Sequence, residues 1–114
     1  MNKPRNEILV NDIAGEVGLL ECANPALAAE IRNLGFAEAK GVYSRRMSDM
    51  NDRRDIVRKL VALGALFSGG RDWSPAEIVT LFSEEGFIKE KFRTITWKEP
   101  NEFLIVEHEP AHKS

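Results

Sequence analysis

Apolar residues recur along this chain with two different periods, and the change of period divides it. Leu9, Ile13, Val17 and Leu20 fall at helical spacing, so Ile8 to Leu20 is expected to form an amphipathic helix. Gly15 and Gly18 lie inside it, each costing up to about 1 kcal/mol relative to Ala, and the alternative is a short strand at Glu7 to Val10. Leu27, Ile31 and Leu34 mark a second helix, capped by Asn24, started by Pro25 and ended by Gly35, after which Phe36 can close back on Ile31. Val42 to Met47 reads as a short strand or an extended connector. The longest helix is expected from about Ser48 or Asp52 to Phe67. Its first half places Asp49 and Arg53, and Asp55 and Lys59, at ion-pair spacing. Its second half, L-V-A-L-G-A-L-F, is apolar nearly all round, which requires cover on more than one side and puts Ile56, Leu60, Leu63 and Phe67 at the centre of the core. Ser68-Gly69-Gly70 would then terminate it.

The best-specified helix is the fourth, within Trp73 to Phe87. Ser74 suits the N-cap, Pro75 the first helical position and Glu77 the third, which makes a capping box; Trp73 and Ile78 are spaced as a hydrophobic staple. Gly86 can take the left-handed conformation that ends a helix, with Phe87 folding back on Phe82. Beyond it the period falls to two: Arg93, Ile95 and Trp97 alternate with Thr94, Thr96 and Lys98. Glu99-Pro100-Asn101-Glu102 is a turn, and Phe103 to Val106 is apolar at every position, as expected of a strand buried on both faces. The expected fold class is α+β: about four helices followed by a C-terminal β-hairpin, with residues 42–46 as the candidate third strand of its sheet. Residues 1–114 are expected to form one domain, with loose ends at about 1–6 and 108–114.

Composition narrows the function classes. With 114 residues, 43% hydrophobic and 30% charged, the chain matches one core-forming domain. A net charge of -2 provides no global field toward nucleic acid or an anionic membrane. The longest apolar run, Leu60 to Phe67, is far short of the roughly 20 residues that span a bilayer, so no membrane partner is expected. A single cysteine, Cys22, precludes an intramolecular disulfide and fits a reducing, cytoplasmic setting.

No catalytic constellation, cofactor motif or metal site is expected. His108-Glu109-Pro110-Ala111-His112 satisfies the letters of a zinc-protease motif, but it follows a strand, contains proline and has no third histidine. Gly64 to Arg71 lacks the Lys-[ST] pair of a phosphate loop and ends a helix where that loop begins one. Cys22 has no base placed beside it, and its neighbours Leu19 and Leu20 suit a small buried hydrophobe.

The feature with binding potential is basic. Between Gly41 and Leu60 six cations face three aspartates, so this segment is locally +3 while the rest of the chain carries -5. Tyr43, Arg45, Arg46, Arg53, Arg54 and Arg58 are the candidate partner-binding residues, able to grip an acidic protein surface or phosphates. The competing account is that the aspartates already pair the arginines on a solvated face. The favoured reading is a small non-enzymatic protein acting by protein–protein binding, of inhibitor, immunity or adaptor type. The order of helices and a terminal hairpin also resembles the layout of winged-helix domains, with Thr94 to Val106 as the wing; that resemblance implies a DNA-binding regulator. It would make the Ser74 helix the recognition helix, whose surface offers Glu77, Glu84 and Glu85 and no lysine or arginine. A homodimer through the apolar half of the Leu60 helix is a further expectation.

Overall fold

The structure, a computed structural model, describes residues 7–68, 75–99 and 102–109. These form three helices and one seven-stranded mixed sheet: β1 (Leu9–Asp12), β2 (Val17–Glu21), α1 (Pro25–Asn33), β3 (Ala37–Ala39), β4 (Val42–Arg46), α2 (Met50–Ala62), β5 (Leu66–Ser68), α3 (Pro75–Glu84), β6 (Phe92–Glu99) and β7 (Glu102–His108). The strand order is β3-β4-β2-β1-β5-β6-β7. This corrects the expected fold class, because the chain is not four helices plus a C-terminal hairpin. The hairpin is one edge of a sheet that collects strands from the whole chain, so the winged-helix layout does not hold either.

Two helical expectations turn into strands. Ile8 to Leu20 is the hairpin β1–β2, in agreement with the alternative of a strand at its start. Asp12 decides the outcome locally: its Oδ1 accepts from the amides of Ala14 and Gly15 at 2.9 and 3.0 Å, closing a tight turn that a continuing helix would forbid. Gly18 also has a packing reason, since a Cβ there would lie 2.8 Å from Met47 Cε and 3.1 Å from Ile13 Cδ1. The long helix ends at Ala62 rather than Phe67. Gly64 takes φ of 79°, and the amides of Gly64 and Ala65 reach back to the carbonyls of Val61 and Leu60. The run L-V-A-L-G-A-L-F is apolar all round because it contains two elements, the last turn of α2 and the central parallel strand β5.

All three helices end the same way. Gly35, Gly64 and Gly86 have positive φ, and in each case the next amide reaches five residues back, to Ile31, Leu60 and Phe82. At the start of α1, Asn24 Oδ1 accepts from Ala26 and Leu27, a cap whose loss costs about 1 kcal/mol. Pro75 begins α3; the cap and staple proposed for Ser74 and Trp73 lie outside the described residues.

Topology explains why one face of the sheet carries every helix. The β2-α1-β3, β4-α2-β5 and β5-α3-β6 units each join parallel strands, and β2 points opposite to β4 and β5. The first crossover also travels along the sheet in the opposite sense to the other two. Reversing both strand direction and travel leaves a right-handed crossover on the same side. Accordingly Ala28 and Ile31 of α1, Ile56, Val57, Leu60 and Val61 of α2, and Ile78, Val79 and Phe82 of α3 share one buried cluster with Val10, Leu20, Tyr43, Phe67 and Phe92 of the strands. Leu9, Leu66 and Ile95, with Phe103 against them, form a smaller cluster on the other face.

Residues 42–46 are a strand, as expected, but β4 pairs with β2 and β3 and lies far from the hairpin it was expected to extend. Ile56, Val57, Leu60 and Val61 of α2, on the face expected to serve a homodimer, are buried within the chain. Phe103 to Val106 also differs from expectation: β7 is at the sheet edge, and Leu104, Ile105 and Val106 are exposed rather than buried on both sides. No helix among the described residues is long and apolar enough to cross a membrane.

Candidate functional site

The arginine-rich segment spans β4 and the first turns of α2, and the structure separates its members. Tyr43 is buried on the helix-covered face, with the Arg32 guanidinium 5.8 Å from its ring centre. Arg45 makes a bidentate pair with Asp52, at 2.8 and 2.9 Å, and also reaches Met47 Sδ. The planar fork matches the carboxylate and fixes the start of α2 against β4. Asp52 is in turn positioned by the Ser48 amide at 2.9 Å, while its own amide donates to Asp49, the N-cap of α2. Arg46 extends to Glu16 at 3.3 Å in full solvent. Lys59 pairs with Asp55 at 3.1 Å, as the spacing predicts. The anticipated Asp49–Arg53 pair is replaced: Arg53 donates to the carbonyls of Ile13 and Gly15 at 2.8 and 2.9 Å, clamping the β1–β2 turn from α2.

Arg54 is placed differently from the other five. Its guanidinium carbon lies 3.7 Å from the centre of the Phe87 ring and 5.7 Å from that of Phe82, within the range of cation–π attraction. One terminal nitrogen donates to Asn51 Oδ1 at 3.0 Å. Its Nε and that of Arg53 are buried without a hydrogen-bond partner among the described residues. Met50, one helical turn before Arg54, is half exposed, and Arg58, one turn after it, is exposed. Phe87 follows the helix-ending Gly86 and stays 36% exposed despite the backbone bond to Phe82. Arg54 and Phe87 thus form a surface of guanidinium and aromatic groups where α2 meets the end of α3, with the half-exposed Met50 one helical turn before Arg54. Phe87 is expected from the sequence to fold back on Phe82, and the fold leaves it partly at the surface.

The Asp52 carboxyl is held down to about 2, first by the Arg45 guanidinium and then by the Ser48 amide; the Arg45 guanidinium is raised above its ordinary value, chiefly by the bond to Asp52. Because the folded-state value lies below the ordinary 3.8, the stabilisation is fully present above about pH 4 and is lost as pH falls toward 2. Thermal unfolding followed between pH 5 and pH 2 is expected to show a falling midpoint, with a shallower fall in Asp52→Asn. Equal slopes in the two proteins would show that the pair contributes nothing.

Elsewhere, His108 stacks on Phe92 with ring centres 4.9 Å apart, and its Nε2 lies 2.9 Å from Thr94 Oγ1. It belongs to β7 and packs against the sheet; Pro110 to His112 of the protease-like motif lie outside the described residues. Cys22 is half buried, with its thiol directed to the Asn24 carbonyl. No group of three or more His, Cys, Asp or Glu side chains among the described residues is arranged to hold a metal ion. Comparison with protein-family models, curated proteins and solved structures finds no match for this chain.

Proposed function

We propose that this protein acts by binding another protein, as an inhibitor, immunity or adaptor factor working in the cytoplasm, and performs no catalysis of its own. The observation that carries the reading is Arg54 stacked on the exposed Phe87, with the half-exposed Met50 one helical turn before Arg54. Aromatic residues, methionine and arginine are the types enriched in protein interfaces, and a stacked guanidinium is pre-organised, so little rotamer freedom remains to be lost on binding. The state of the other arginines points the same way. Arg45, Arg46 and Lys59 are paired with carboxylates and Arg53 with carbonyls, which leaves few cations for phosphates.

A capture experiment tests this. With the full chain immobilised, a specific protein partner is expected to be retained, and the Arg54→Ala/Phe87→Ala double variant is expected to lose at least about tenfold in affinity for it, as removal of a hot-spot pair implies. Duplex DNA titrated at several salt concentrations is expected to show no specific shift at about 150 mM salt. Tight, salt-steep DNA binding would overturn the proposal in favour of a nucleic-acid regulator. Retention unaffected by the double variant would remove this surface from it.

A further inference from the structure

The two edges of the sheet differ in what they offer. β3 has three residues and is followed by Lys40 and Gly41, both at positive φ, which turn the chain away at once. A strand that short is a poor template for further pairing. β7 has seven residues, and among the described residues nothing pairs with its outer side. Its centre is apolar on both faces, with Leu104 45%, Ile105 39% and Val106 37% exposed. Such an edge presents a row of backbone donors and acceptors together with apolar side chains, the combination that recruits another strand.

The geometry points to a second copy of this chain as the occupant, paired antiparallel through β7 against β7 about a two-fold axis at Ile105. The argument is the self-complementarity of E-F-L-I-V-E-H. An axis normal to the sheet keeps the helix layers of both copies on one side and must pass through a residue position, because directly opposed residues share a face. Centred on Ile105, the register sets Ile105 against itself, Leu104 against Val106, Phe103 against Glu107 and Glu102 against His108. Every residue of the apolar centre meets an apolar one, and the acidic end of each strand meets the imidazole end of the other. Glu107 shares the Lys91 ammonium with Glu109, at 3.6 and 3.5 Å, which offsets part of the charge that faces Phe103. Moving the centre to Leu104 sets Glu102 against Val106; moving it to Val106 sets Ile105 against Glu107; moving it to Glu107 opposes two like charges.

In this dimer Leu104 and Val106 of both copies form one apolar group on the helix side. On the other side Ile105, which lies opposite Ile95 on β6, continues the buried cluster of Leu9, Leu66 and Ile95 across the axis. This surface is separate from Arg54 and Phe87, and the dimer stands whether or not those residues hold a partner.

Sedimentation of the full chain over a wide concentration range tests it. The expected mass is twice 12.8 kDa, and Ile105→Lys, which opposes two ammonium groups at the axis, is expected to halve it while circular dichroism stays unchanged. In a Cys22→Ser background, Ile105→Cys is expected to form an intermolecular disulfide on mild oxidation, because residues opposed across an antiparallel pair have Cα atoms about 4.5–5.5 Å apart, within disulfide reach. Val42→Cys in the same background, on another strand, is expected not to. A wild-type chain that stays monomeric at the highest concentration overturns the proposal. So does a dimer that Ile105→Lys leaves intact, since its interface would then lie elsewhere.

Discussion

Phe82→Ala is expected to destabilise the protein by about 3–5 kcal/mol, the range for removing a fully buried phenyl ring. Phe82 is 1% exposed on α3 and belongs to the cluster that α1, α2 and α3 share with the central strands. α3 lies over β5 and β1, in the middle of the sheet, where little else can move in to fill the space. The ring also lies 5.7 Å from the Arg54 guanidinium, so truncation loosens one wall of the Arg54–Phe87 surface. Urea unfolding measures the change as a lower midpoint at unchanged slope. A loss below about 1 kcal/mol would mean that α3 presents a different face to the sheet.

Gly64→Ala is expected to cost about 1–2 kcal/mol, the penalty for a side chain in the left-handed region. Gly64 has φ of 79°, and a Cβ there would lie 3.3 Å from Arg93 Nη2, whose guanidinium donates to the Gly64 carbonyl. The sign carries the information. Were Gly64 inside a helix running to Phe67, the same change would stabilise by up to about 1 kcal/mol, because alanine is the better helix former. Denaturation midpoints of the two proteins therefore decide between a helix end followed by a central strand and an uninterrupted helix.

The candidate surface was only partly legible in advance. Arg54 belongs to the basic segment that charge counting picks out, but nothing in the sequence separates it from Arg45, Arg46, Arg53 or Arg58. Their partners lie at sequence distances of 7 for Asp52, 30 for Glu16 and 40 for Ile13, so which arginine is held and by what depends on the strand order. Phe87 is legible as the residue after a helix-ending glycine. Its remaining 36% exposed, under a guanidinium from another helix, is a property of how α2 and α3 lie together.

By itself the sequence determined what short-range bonds determine. Asn24 and Pro25 open α1, Gly35 and Gly86 close α1 and α3, Asp55 meets Lys59, and alternation after Gly86 forms the β6–β7 hairpin, because each of these contacts closes within a few residues. Tertiary structure alone decided where apolar residues at ambiguous spacing would lie. Leu9, Ile13, Val17 and Leu20 fit a helix by count, yet β1 and β2 are held by pairing with β5 and β4, elements 57 and about 25 residues away. The eight residues from Leu60 to Phe67, all apolar but for Gly64, are equally suited to a buried helix and to a helix followed by a strand buried on both faces, since both environments demand hydrophobicity on every side. The apolar run in β7 has the composition of an interior strand, and only the strand order places it at the edge. Sheet pairing is non-local, and its register and neighbours are fixed by residues that no local period can identify.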